Sequence, residues 1–402
     1  MAIEEVIDVG QAHEMADALA GVLPARVKAP FTPAFVRSAR LYDEFVHRLV
    51  FSVFRASGLA AAVAGESSTV DEIVARAGFE AGRARVPVEW ILRRLTHRGV
   101  LEQIAGRDGA RFRARAAVPE VDPASVLEEQ RRQDPSWVPS YVLAETVAQD
   151  YPAFLRGERT GEDILFSPAR LRLWVDFFSN DNGLYAVNNL VGAGAVEEWM
   201  PPAPVAILEL GGGLGSGAIA LLDRLRRAGR WTDIGEYRFT ELVPFFLRRG
   251  QSALQARFPD AAFLKFAPLD MNRVFAEQGV APESVSLVYA VNTLHVARDL
   301  DFTAREIHRA LAPGGRLVVS ECIRTTPAQA VYVEFIFNLM ETFRAPQLNP
   351  AYRPNGGFLT PEQWLAALRA AGFRDVAILP DIAALRDRFP DFNVGAVAAG
   401  KP

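Results

Sequence analysis

The feature that most constrains this chain is the apolar run Val-Ala-Ile-Leu-Glu-Leu ending at Leu210, which leads at once into Gly211-Gly-Gly-Leu-Gly215 and then into apolar residues at helical spacing, Ile219, Leu221, Leu222 and Leu225. A strand that opens through glycines into a helix is half of a βαβ unit, because glycine lacks a Cβ, tolerates positive φ and lets backbone approach a ligand closely. From this point to the C-terminus, short apolar runs alternate with helical stretches. Strands are expected at 205–210, 237–240, 262–266, 285–290, 316–320, 375–379 and 393–398, with the last two close together as in a sheet that ends in an antiparallel strand. The pattern predicts an α/β layered sheet.

The N-terminal part reads differently. Residues 41–65 repeat apolar positions at three- and four-residue spacing, giving an amphipathic helix followed by a shorter one. Thr69 and Glu72 are spaced as a capping box for a short helix that stops at Gly78. A second helix runs through Val88, Trp90, Ile91, Leu92 and Leu95, and 100–104 and 111–116 alternate around Gly106 and Gly109 as a hairpin. Helix, helix, hairpin is the winged-helix order. Residues 122–202 look mostly helical, so the expected division is a helical, winged-helix-like domain at 1–120, a connector or lid at 121–202 and an α/β domain at 203–402. The apolar first helix of the N-terminal domain predicts a homodimer joined there.

Composition closes several other routes. Half of the 402 residues are hydrophobic and 23% are charged, a balance for a packed core. The single cysteine, Cys322, forbids an internal disulfide, and no cluster has metal-ligand spacing, so the expectation is a cytoplasmic protein without a metal. Residues 1–21 lack the basic start and apolar stretch of a secretory signal, and no apolar run reaches the ~20 residues that span a bilayer. A net charge of -4 gives no global attraction to nucleic acid or anionic membrane. One local exception supports an alternative reading as a nucleic-acid-binding regulator: residues 69–118 hold ten Arg against six acids, with Arg93, Arg94 and Arg98 on one helix and Arg107, Arg111, Arg113 and Arg115 around the hairpin.

Chemistry concentrates at the expected strand ends. Glu241 follows the second strand, where a carboxylate can accept both ribose hydroxyls, and Asp270-Met271 follows the third, where an acid can accept the adenine amine and a thioether can cover its face. Gly213-Leu-Gly215-Ser-Gly-Ala218 also fits a dinucleotide pattern, and Glu241 alone does not choose between cofactors; the second acid is less expected in a dinucleotide enzyme. His295 lies just past the fourth strand, at the edge where open α/β sheets bind ligands. Glu321 ends the next strand, where its carboxylate can fix one tautomer of the imidazole and stabilise the imidazolium.

From about residue 204 onward these residues resemble the class I S-adenosylmethionine-dependent methyltransferase family. The likeness rests on Glu209-x-Gly211-x-Gly213-x-Gly215, Glu241, Asp270 and the segment Asn292-Thr-Leu-His295, with 230–236 standing as an insert between the first two motifs. It implies a Rossmann-like seven-stranded sheet and S-adenosyl-L-methionine held by Glu209, Gly211, Gly213, Gly215, Glu241, Asp270, Met271 and Asn292. The order from Asn292 to Leu300, then Leu311-Ala-Pro-Gly-Gly-Arg-Leu-Val-Val-Ser-Glu321, Leu359-Thr-Pro-Glu-Gln-Trp364 and Ala371-Gly-Phe373 is similar to the C-methyltransferase domains of polyketide synthases. Those domains methylate the activated carbon of a β-keto acyl group, and the resemblance implies His295 and Glu321 as the catalytic pair. Winged-helix small-molecule O-methyltransferases share both positions, so carbon and oxygen acceptors stay open, as does delivery of a small-molecule acceptor on a carrier protein. No synthase or carrier domain is visible in the 402 residues. For the acceptor pocket the candidates are Trp174 and Phe178 in an aromatic-rich segment, and Phe335, Asn338 and Met340 after the fifth strand; helical spacing also suits core packing for most of them.

Overall fold

The computed structural model describes residues 8–106, 109–117 and 119–402, so Arg107 and the first seven residues of the N-terminal segment lie outside the described residues. Two compact units interleave along the chain: Thr32–Phe177 and Ala328–Arg344 join the N-terminal residues up to Asp17 in the first, while Ala18–Phe31, Phe178–Pro327 and Ala345–Pro402 form the second.

In the first unit, α1 (Pro33–Ala56) starts where Thr32 accepts the Phe35 amide and Pro33 takes the first helical position, which needs no N–H donor. The capping box forms in full at α2 (Val70–Arg76): Thr69 Oγ1 accepts the Glu72 amide and the Glu72 carboxylate accepts the Thr69 amide. Then come α3 (Ala81–His97), and a three-stranded antiparallel sheet in the order β1 (Ser68–Thr69), β3 (Gly109–Ala114), β2 (Leu101–Gly106). The helices α4 (Pro123–Gln133) and α5 (Val138–Leu155) complete the package around the rings of Tyr42, Phe45 and Tyr141. Residues 328–344 are fastened to it by the Trp90 indole N–H, which donates to Glu334 at 3.0 Å, and by Phe335 stacked on Tyr151 at 4.9 Å.

Five of the arginines in this surplus are held by carboxylates of the same unit. Arg93 pairs with Glu89, Arg94 and Arg98 with Asp43, Arg111 with Glu72 and Arg113 with Glu102. A guanidinium held by a carboxylate is a poor phosphate contact, so the observation that raised the nucleic-acid reading loses most of its force.

The second unit is built on seven strands in the order β6 (Leu264–Ala267), β5 (Ile234–Thr240), β4 (Val205–Leu210), β7 (Val285–Val291), β8 (Leu311–Cys322), β10 (Val394–Gly400), β9 (Arg374–Leu379). All neighbours pair in parallel except β10, which runs antiparallel to both β8 and β9. This is the Rossmann-like seven-stranded sheet that the methyltransferase resemblance implies. Helices α6 (Gly183–Trp199), α7 (Ser216–Arg227), α8 (Pro244–Arg257), α9 (Leu300–Ala310) and α10 (Pro361–Ala370) surround it, and Val288, Leu317 and Val319 of the sheet bury Ile307 of α9 with Trp364 and Leu368 of α10. The chain leaves β4 to one side for β5 and β6, then returns to β7 and β8 on the other. The crevice beyond the carboxyl ends of β4 and β7 is therefore the topological switch point, the usual ligand site of such a sheet. Among the described residues, no helix is long and apolar enough to cross a membrane.

Candidate active site

The glycine loop leaves β4 at the switch point, and its glycines serve different ends. Gly211, Gly213 and Gly215 all have positive φ. A Cβ on Gly211 would lie 2.5 Å from Thr293, and one on Gly212 2.2 Å from the Phe239 ring, so these two are needed for close packing. At Gly213 a Cβ would meet nothing within 4 Å. Here the loop presents bare backbone to open space, the surface a cofactor can approach.

Glu241, at the end of β5, locks that loop from the side. Its carboxylate accepts the Gly213 amide at 2.9 Å and the Val243 amide at 2.8 Å, and burial pushes its pKa up from the ordinary carboxylate value. Residues 230–236 supply a single 3-10 turn and the first residues of β5, and so leave Glu241 beside the loop. Glu209 lies beneath the loop, 2% exposed, where the Tyr237 hydroxyl donates to it at 3.0 Å. Burial pushes its carboxyl up to about 8 against the opposing pull of that hydrogen bond, with Glu241 adding to the rise. Asp270 is half-buried after β6 and accepts the Asn272 amide at 2.9 Å, while Met271 packs against the core edge.

The chain then enters the site again after β7. Asn292 turns it with φ 48°, and its side-chain oxygen accepts the Cys322 amide at 3.2 Å. The next residues form a 3-10 turn, Leu294–Val296, whose amides converge on one carboxylate: Glu321 Oε1 accepts from Thr293 at 3.2 Å, Leu294 at 2.9 Å and His295 at 3.3 Å. The other oxygen, Oε2, lies 2.6 Å from His295 Nδ1. Both side chains are buried, and the imidazole packs 4.6 Å from the Phe358 ring. The geometry assigns the Nδ1 proton to the carboxylate contact, which makes Nε2 the basic nitrogen.

The structure thus brings Glu209, the glycines, Glu241, Asn292, His295 and Glu321 to neighbouring strand ends of one unit. The acceptor-pocket candidates divide. Trp174, Phe335, Asn338 and Met340 belong to the first unit, where Trp174 donates to the Leu165 carbonyl at 2.5 Å and Phe335 is wholly buried against Tyr151. Phe178 belongs to the second, and its carbonyl accepts the Ser216 hydroxyl at the start of α7, directly after the glycine loop. Sequence reasoning passed over Thr293, Phe358 and Arg353. Of these only Thr293 stands inside a quoted motif; the others reach His295 from more than fifty residues away.

Residues 208–317 match the family model described as "Methyltransferase domain". Among curated relatives, the polyketide synthase ThaG of Burkholderia thailandensis is 30% identical over 242 residues, 59% of this chain and 4% of the synthase. The fumosorinone synthetase of Cordyceps fumosorosea is 32% identical over 236 residues, 58% of this chain and 5% of the synthetase. The chain therefore spans only a small fraction of the length of these relatives. Among solved structures, the CurJ carbon methyltransferase superposes with a TM-score of 0.72 at 22% identity, covering 97% of this chain and 99% of its own. The citrinin polyketide synthase CMeT domain gives 0.70 at 19%, covering 99% and 97%. The trans-methyltransferase CalH, solved with SAH, gives 0.58 at 19%, covering 90% and 92%. The chain carries a methyltransferase domain, and its fold is that of the polyketide-synthase carbon methyltransferases.

Proposed function

We propose that this chain is an S-adenosylmethionine-dependent methyltransferase that methylates the activated carbon of a β-keto acyl group, presented as a carrier-bound thioester, with His295 as general base. The observation that carries the reading is the buried His295–Glu321 pair, 2.6 Å apart, at the ends of adjacent parallel strands beside the glycine loop. The residues fit the cofactor: Gly213 offers bare backbone to open space, Glu241 stands beside it with lone pairs for ribose hydroxyls, and Asp270 with Met271 ends the neighbouring edge for adenine. When bound, S-adenosylmethionine supplies an electrophilic sulfonium methyl group.

What the protein must add is a nucleophilic carbon. His295 Nε2 takes the proton from the carbon between the ketone and the thioester, leaving its electron pair as an enolate, while Nδ1–H stays directed at Glu321. The positive charge that forms on the ring is met by the carboxylate 2.6 Å away. Synthase relatives and the carbon-methyltransferase fold support a carbon acceptor over an oxygen one.

Deuterium exchange tests the reading directly. An acetoacetyl thioester incubated in D2O with the protein should exchange its α-protons faster than without it, and His295→Ala should lower that rate by about 10²- to 10⁴-fold. A protein that methylates a hydroxyl acceptor and shows no His295-dependent exchange would refute carbon methylation.

A further inference from the structure

We propose that Arg353 is the positioning residue for the His295 base, holding the turn that carries the imidazole on the side opposite Glu321; this rests on the reading of His295 as the base. The turn Leu294–Val296 lies between two buried charges. Its N–H groups point at Glu321, which collects three of them on one oxygen. Its carbonyl groups point the other way: Arg353 Nη2 donates to the His295 carbonyl at 2.6 Å and Nη1 to the Ala297 carbonyl at 2.8 Å. The peptide dipoles of the turn are therefore aligned between an anion at their positive ends and a cation at their negative ends.

The residue type follows from that task. Two carbonyl groups two residues apart need two donors in a fixed fork, which guanidinium has and a lysine ammonium lacks. Arg353 is 1% exposed, and among the described residues its Nε has no hydrogen-bond partner, so the two terminal nitrogens carry the contact. Burial pulls its pKa down to about 10 against the attraction of Asp299, Asp301 and Glu321, so it stays a cation at neutral pH. Its backbone is pinned in turn by reciprocal hydrogen bonds with Asn349, whose side chain donates to Asp301 at 3.0 Å near the start of α9. The same segment carries Phe358 against the imidazole. Residues 349–358 thus set both the height of the turn and the face of the ring, and a shift of the base by an ångström is enough to cost a large part of the rate.

The test uses the full chain with Arg353→Lys, Arg353→Met, Arg353→Ala and His295→Ala, reading α-proton exchange of acetoacetyl-pantetheine per folded molecule and S-adenosylhomocysteine affinity by calorimetry. Arg353→Met should slow exchange by about 10²-fold while affinity changes by less than about twofold, because the glycine loop is untouched. Arg353→Lys should recover part of the rate. Added ethylguanidinium should speed exchange in Arg353→Ala and leave His295→Ala unchanged, a rescue that a purely structural role would not give. Wild-type exchange in folded Arg353→Lys and Arg353→Met, or a parallel loss of exchange and affinity, would overturn the inference. Should Arg353→Met not fold, Arg353→Lys carries the decision by the same two readings. His295→Ala separates the two claims: if it exchanges at the wild-type rate the base reading fails, whereas loss there with exchange intact in the Arg353 variants sinks this inference alone.

Discussion

Each unit buries a histidine beside charged side chains, and the two surroundings are opposite. His47 on α1 sits among Arg48, Arg94 and Arg98, and burial together with those cations drives its pKa down to about 2, so it stays neutral. His295 sits against a carboxylate, the arrangement that stabilises an imidazolium once a proton arrives. The carboxylates differ in the same way. In the first unit Glu44 and Asp43 are consumed by arginines, Arg48 to Glu44 at 2.8 Å and Arg98 to Asp43 at 2.9 Å. In the second, Glu209, Glu241 and Glu321 are held by a tyrosine, by backbone amides and by a histidine. Buried charge is tied to arginines in one unit and, in the other, gathers at the strand ends where the proposed cofactor and base sit.

The contrast can be broken at either end. The largest effect is expected in the proposed base pair: beside the severe loss in His295→Ala, Glu321→Gln should be milder, and the double variant should turn over little worse than His295→Ala alone, since the carboxylate acts only through the ring and the turn that carries it. Additive losses in single-turnover assays would give Glu321 a separate role. Next comes Gly213→Val, which fills the open side of the loop and strains a φ of 58°. It should abolish S-adenosylhomocysteine binding by calorimetry while Trp and far-UV signals stay native; retained affinity would move the cofactor elsewhere.

In the first unit, Glu44→Ala leaves Arg48 buried without its carboxylate and should cost about 3–5 kcal/mol in urea unfolding, with α-proton exchange per folded molecule unchanged. A loss of exchange as large as the loss of stability would dissolve the distinction between the units. The smallest effect is a pH dependence from Glu209. Its pKa is raised in the fold, from 4.5 to about 8, so its contribution to stability is full below about 4.5 and is lost as pH rises toward 8. Glu209→Gln should flatten the fall in urea midpoint between pH 5 and about 8; an unchanged slope would show that Glu209 ionises freely in the fold.

Much of this was legible in the residues alone. Strand, glycine loop and helix are local patterns, and period-two and period-3.6 spacings placed all seven strands of the sheet within a few residues of where they lie. The His295 and Glu321 positions were readable because one follows a strand closely and the other lies at the end of the next, and adjacent parallel strands put their ends together. Other features had no local signal. Residues 328–344 follow β8 yet pack in the first unit, through Trp90 and Phe335, because helical spacing shows that a face is apolar and not which partner covers it. The aromatic and polar residues chosen there for an acceptor pocket, Phe335, Asn338 and Met340, therefore belong to the first unit.

What the sequence by itself determined is therefore the inventory of elements, the glycine loop and the acids and histidine at strand ends, since each depends on a few neighbouring residues. Only the tertiary structure decided how those groups are used. Glu321 divides its two oxygens between three amides and an imidazole, Gly211 and Gly212 are small to admit Thr293 and Phe239, and Arg353 closes the far side of the histidine turn from 58 residues away. Hydrogen-bond direction and close approach depend on three-dimensional position, and a one-dimensional spacing carries no information about either across such a distance.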